Sequence, residues 1–145
     1  MRRALALAIF LALAAPAAAA EKAGDPGTNV EMPFLIAPMS KDGQLLGYAY
    51  ISSKLVASSQ SAALEIRDKI AFIQDAFVRD VNAAPIATGA DPTLADPKLL
   101  AARLLADARK VVGTPKVARI TFGDGDKDPG IVFSPLHQTQ APAKP

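Results

Sequence analysis

Asp124, Asp126 and Asp128 stand at alternate positions, and carboxylates spaced in this way open the loop that holds calcium in an EF-hand. The match then fails where it must hold. Pro129 stands where the sharp-turn glycine belongs, and Pro135 falls where a bidentate glutamate is required. The segment from Gly123 to Gly130 therefore reads as a solvated acidic loop. Its glycines follow a predicted strand, but the aspartates between them would repel a phosphate. His137 is the only histidine, and it lies in a proline-rich tail with no neighbouring carboxylate or nucleophile. A catalytic base must be held by a third group, and nothing near His137 in sequence does so. Ser52, Ser53, Ser58, Ser59 and Ser61 fall at a strand end and a helix entry, which accounts for them without chemistry. The acids Glu65, Asp68, Asp75, Asp80 and Asp107 are spread over helix surfaces. Glycoside cleavage would need two carboxylates facing each other across a cleft, a relation the sequence does not display. Tyr48 and Tyr50 share one strand face and read as sheet surface or core. No catalytic, cofactor-binding or metal-binding residue is assigned, and no cofactor is expected.

Composition narrows the classes further. The chain of 145 residues has no cysteine, which rules out disulfide staples, thiol catalysis and cysteine-based metal sites. Met1-Arg2-Arg3 followed by the uncharged apolar run Ala4 to Ala15 has the form of a signal peptide. Pro16 breaks any helix, and Ala17 to Ala20 offer the small residues a signal peptidase reads, so cleavage is expected after Ala20. The competing possibility is an uncleaved inner-membrane anchor, but the stretch is short and alanine-heavy for a spanning helix. The formal net charge of +2 rests on 16 Lys+Arg against 14 Asp+Glu, and two of those arginines are Arg2 and Arg3. A neutral mature chain without a basic stripe is not suited to nucleic acid.

Residues 21–29, with Gly24, Pro26 and Gly27, read as a flexible leader. Val30 to Pro38 places Met32, Phe34 and Ile36 at period two and predicts a first strand. Asp42-Gly43 is a tight-turn signature, and Leu45 to Val56 predicts a long second strand. From Ala62 the period changes. Ile66, Ile70, Ile73, Phe77 and Val81 line one face of a helix whose other face carries Arg67, Asp68, Lys69, Gln74, Asp75, Arg79 and Asp80. A serine of the Ser58 to Ser61 run is expected to cap it. Asn82 to Asp96 is a predicted loop. Asp96-Pro97 then opens a second helix, as cap and first-turn proline, with Leu100, Leu104, Ala108 and Val111 inside. Gly113 is expected to end it in the left-handed conformation, and Pro115 to prevent its continuation. Lys116 to Phe122 predicts a third strand with Ala118, Ile120 and Phe122 on one face. Ile131 to Phe133 is expected to add a short edge strand or dock on the core. The fold class expected is α+β: a small antiparallel sheet of about three strands with two amphipathic helices on one face, in the order β-β-α-α-β. The domain spans residues 30–133, between a signal peptide (1–20), the leader (21–29) and a disordered tail (134–145).

Three segments carry a resemblance: Val30 to Ile36, Tyr48 to Ser52, and Ala63 to Phe77, whose residues run ALEIRDKIAFIQDAF. Together with the helix that leads through Lys116 to Ile120 into a strand, they are similar to the periplasmic domain of the FliL family of flagellar basal-body-associated proteins. The resemblance covers about Val30 to Phe122 and lies in apolar positions and element order. It implies a stomatin-like, non-enzymatic module that forms oligomers around the stator units of the flagellar motor and supports motility. The chain departs from the family pattern in its cleavable N-terminus and in the segment beyond Asp124, and no family site residue transfers. The expected function is that of a periplasmic accessory protein binding an envelope partner. The alternative is a periplasmic small-ligand carrier or enzyme whose site forms only in the fold.

Overall fold

A computed structural model describes residues 26–137. The expected signal peptide lies outside the described residues, as do most of the leader and residues 138–145 of the expected tail. Two helices were expected; among the described residues there are three α-helices, Gln60–Asp68 (α1), Ile70–Ala83 (α2) and Pro97–Val112 (α3). Six strands among the described residues stand where about three and a possible short edge strand were expected: Asn29–Glu31 (β1), Leu35–Lys41 (β2), Gln44–Ile51 (β3), Ser53–Ala57 (β4), Val117–Phe122 (β5) and Ile131–Pro135 (β6). They form two antiparallel three-stranded sheets, ordered β1-β4-β5 and β2-β3-β6. The α+β class with helices against a small antiparallel sheet is thus shown.

The first two expected strands are each interrupted once, giving β1 with β2 and β3 with β4; the third is β5, and Ile131 to Phe133 add the short edge strand β6. β3 and β4 are the middle strands of their sheets, and only Ser52 separates them. Hydrogen bonding runs across this breach. The Met32 amide donates to the Ser53 carbonyl at 3.0 Å, and on the other side the Ser52 amide donates to Gly130 O at 2.8 Å while Gly123 N donates to Ser52 O at 3.1 Å.

The interruption between β1 and β2 corrects the expected facing of the first strand. Met32 is buried, but Phe34 and Ile36 are 73% and 49% exposed, and Leu35, Ala37 and Met39 point into the core instead. Pro33 has no amide for a ladder. The chain changes sheet across Pro33-Phe34, and a shift of one residue exchanges the faces of everything that follows. β5 carries a related correction. Val117 and Ile120 are buried while Ala118 is exposed, because the register jumps from Ala57 opposite Val117 to Val56 opposite Arg119. A bulge of this kind turns the flanking side chains out of strict alternation.

The helices follow their expected cues closely. The Ser59 hydroxyl accepts from Ala62 N at 3.1 Å, capping α1. Lys69, at φ −109° and ψ 11°, separates α1 from α2, yet Ile66, Ile73, Phe77 and Val81 are all buried on one side of the pair. Asp96 accepts from Leu99 N at 3.0 Å, with Pro97 in the first turn of α3. Leu100, Leu104, Ala108 and Val112 are its buried stripe, Val112 replacing the expected Val111. Gly113 ends the helix with φ at 105° as expected in sign, but with ψ at 137°, a positive-φ conformation open to glycine and not the left-handed helical one. One cluster holds both helix stripes together with Leu35, Ala37, Met39, Ile51 and Leu55 from both sheets. At roughly 1.5–3 kcal/mol for each large apolar side chain, that shared interior holds the two layers together.

The predicted loop from Asn82 to Asp96 is pinned at two points. Ile86 is buried, and Arg103 of α3 reaches back to the carboxylate and carbonyl of Asp80 and to the carbonyls of Ala84 and Pro85. The expected domain limits also shift. Asn29 already pairs with Val56, and Ser134 and Pro135, assigned to a disordered tail, pair with Tyr48 and Gly47. Among the described residues no helix is long and apolar enough to cross a membrane.

Candidate functional site

The acidic loop folds back onto the breach at Ser52. Gly123 and Gly130 have φ of 65° and 79°, and their backbones touch: a Cβ on Gly123 would lie 2.0 Å from Asp128 O, and one on Gly130 would lie 2.5 Å from Gly123 N. Only glycine at both ends closes the loop this tightly. Within it, Asp124 N donates to Asp128 O at 3.0 Å. The Asp128 carboxylate accepts the Ser52 hydroxyl at 2.5 Å and the Gly130 amide at 2.8 Å. Lys54 forms an ion pair with Asp124 and a second with Glu31 at 3.5 Å. A shallow hollow of about 220 Å³ opens here between Glu31, Phe34, Ser52, Lys54 and Asp124.

The electrostatics of this cluster fix its protonation states. The hydrogen bond from Ser52, reinforced by that from Gly130 N, holds the Asp128 carboxyl below the usual carboxylate range. The hydrogen bond to Asp124 raises Lys54 above its ordinary value, with Glu31 adding to it. Lys54 is therefore an ammonium and Asp128 a carboxylate at neutral pH. A strongly ionised carboxylate is a weak base toward a serine hydroxyl, and general-base work calls for a group poised near the operating pH. The arrangement instead provides an electrostatic clasp that ties the acidic loop to the central strands. Asp124, Asp126 and Asp128 do not converge: among the described residues no group of three or more His, Asp or Glu is placed to hold a metal ion.

The remaining residues singled out in the sequence are dispersed. Ser59 caps α1 and exchanges a hydrogen bond with Ser61 at 3.0 Å, while the Ser58 hydroxyl reaches Lys116 O at 3.4 Å. Ser53 is buried with no hydrogen-bond partner for its hydroxyl. Glu65, Asp75, Asp80 and Asp107 pair with Lys116, Arg79, Arg103 and Lys110 respectively. His137 is exposed two residues beyond β6.

What sequence reasoning missed is a surface. On the outer face of the second sheet Ile36 lies opposite Tyr50, and Tyr50 opposite Val132; in the next row but one Pro38 lies opposite Tyr48, and Tyr48 opposite Ser134. Ile36, Tyr48, Tyr50 and Val132 are all exposed, with Phe34 just before β2. The exposed area is on the order of 500 Å², at the upper end of what a monomer usually leaves open. No charged side chain interrupts these rows. Tyr48 and Tyr50 share one face by their spacing, but the period that puts Ile36 on one side with Met32 and Phe34 does not say which side faces solvent. The period-two exposure of Val132 in the short β6 has no signal beyond a single apolar triplet. No protein-family model matches the chain, and no curated protein matches it.

Proposed function

We propose that this chain is a non-enzymatic periplasmic accessory protein, resembling FliL, that works by docking a protein of the cell envelope on the outer face of the β2-β3-β6 sheet. The observation that carries the reading is the uncharged row Ile36, Tyr50 and Val132, uncovered on the side away from the helices. Tyrosine at the centre of an apolar patch is the composition of interface cores, where charged residues are depleted. The acidic clasp supports the reading from the other direction, because Asp128, held below the usual carboxylate range by Ser52, and Lys54, raised by Asp124, are both shifted away from neutrality, where proton transfer would need them. The flagellar motor is the envelope complex that the resemblance suggests.

A photoreactive cross-linker placed in living cells tests this. Placed at Tyr50 or Val132 it should give one discrete adduct with an envelope protein or a second copy, and the adduct should vanish with Tyr48→Asp. The same probe at Lys98, on α3, should give none. Equal labelling from both sides of the domain, or no adduct from the sheet, rejects the docking face. An adduct with a motor component, together with loss of motility on deletion, is the result expected of the flagellar reading. Unchanged motility rejects that part alone.

A further inference from the structure

A second hollow, of about 240 Å³, lies on the opposite, inner side of the same sheet. Its floor is Met39 and Ala49, both buried, with Ile131 and Phe133 of β6 beside them. Leu94 and Ala95, from the segment entering α3, face them across the gap. The hollow follows from a mismatch of width. α2 lies against β2 and α3 against β5, and neither helix packs closely on β3 or β6. Ile131 and Phe133 are left only partly buried, and Ala49 and Ala95 present single methyl groups where longer side chains would close the space.

The chemistry of the walls selects the occupant. No charged side chain lines the hollow, and Thr93 is the only one with a polar side-chain atom. Its hydroxyl donates to Asp91 Oδ1 at 2.6 Å. At about 30 Å³ per water the space corresponds to about eight molecules, for which these walls provide few partners besides backbone groups. Water short of such partners is displaced favourably by an apolar group. For scale, an apolar cavity of about 150 Å³ accepts benzene.

We propose that this hollow binds an uncharged apolar small molecule, the size of a fused aromatic ring system or a short acyl chain. The site lies on the face opposite the docking surface and stands or falls independently of it. The purified full-length chain, labelled with nitrogen-15, is titrated separately with indole and with 1-octanol while its amide NMR signals are followed. Saturable shifts centred on Met39, Ala49, Ala95, Ile131 and Phe133 are expected, with a Kd below about 1 mM for at least one probe. Indole alone would assign a ring-shaped ligand, and octanol alone an acyl chain. Ala95→Leu, which places three further carbons in the mouth, should weaken binding at least tenfold. If that variant does not fold, Ala49→Leu fills the space from the floor and should do the same. Absence of saturation with both probes overturns the proposal, as do shifts centred on Tyr48, Tyr50 and Val132 or full binding by a folded pocket-filling variant.

Discussion

Replacing Arg103 by alanine should be among the most damaging single changes outside the apolar core. Its guanidinium holds the Asp80 carboxylate at 2.8 Å and donates to the carbonyls of Asp80, Ala84 and Pro85 at 3.0, 3.2 and 2.7 Å. These carbonyls belong to the last turn of α2 and the residues just after it, where helical carbonyls lack partners and the helix dipole favours a cation. The two side chains are 18% and 21% exposed, between an open surface pair worth about 0–1 kcal/mol and a buried pair whose disruption costs about 3–5 kcal/mol. Water can reach part of the site, so a loss of about 2–3 kcal/mol is expected. At roughly 4 °C per kcal/mol for a domain of this size, Tm should fall by about 10 °C. Arg103→Lys keeps the charge but not the planar fork, and should recover less than half of the loss. Urea unfolding followed by circular dichroism measures both variants, with the slope m unchanged. A loss below about 0.5 kcal/mol for alanine, or full stability with lysine, would refute the idea that the fork secures the loop after α2.

Phe77→Ala removes the largest fully buried side chain and should cost about 3–5 kcal/mol in the same assay; a loss under about 1 kcal/mol would mean that α2 does not anchor the core. The Ser52 hydroxyl holds the folded pKa of Asp128 below the ordinary 3.8 of an aspartate, so its contribution is present above that value and lost as pH falls through the lower folded one. Below about pH 4 the wild type should therefore lose stability more steeply than Asp128→Asn. Ser52→Ala should shift the Asp128 titration upward in a carbon-13 NMR experiment, and an unmoved titration would discount the Ser52 bond. Gly130→Ala forces a methyl against Gly123 N at a φ of 79° and should destabilise by about 2 kcal/mol or more, with the amide signals of β6 the first to exchange. Tyr50→Asp, on an exposed face, should leave Tm within about 3 °C of wild type while abolishing the sheet-face cross-link.

The helices were legible because each carried its own local evidence. Ile66, Ile73, Phe77 and Val81 repeat at helical spacing, and Ser59, Asp96 and Pro97 mark helix starts through bonds made within a few residues. Lys116 to Phe122 and Ile131 to Phe133 were legible as single strands, but the first four strands only as two apolar stretches. Where each breaks depends on partners far away in sequence. Ser52 meets Asp128 across 76 positions, and nothing local to Leu45 to Val56 announces that its hydrogen bonding changes sheet there. The same non-local choice separates Met32, which is buried, from Phe34 and Ile36, which are exposed, although the three alternate in sequence. The exposed row of the second sheet was hidden for that reason: it draws one residue, Ile36, Tyr50 and Val132, from each of three strands.

The acidic loop that resembled a cation site links these observations. β6 is short, and whether Val132 or its neighbours Ile131 and Phe133 face outward depends on register, since one step of slip exchanges the two sets. Register is fixed where the strand begins. Gly130 there accepts from Ser52 N, donates to the Asp128 carboxylate, and lies too close to Gly123 for any side chain. The aspartates and glycines thus act at a distance from their own position. By holding the strand start against the breach, they set Val132 beside Tyr50 on the outer face and leave Ile131 and Phe133 to wall the inner hollow. Both candidate surfaces of this domain depend on that one clasp, which is why a loop whose three aspartates do not converge on a metal site bears on what the sheet can bind.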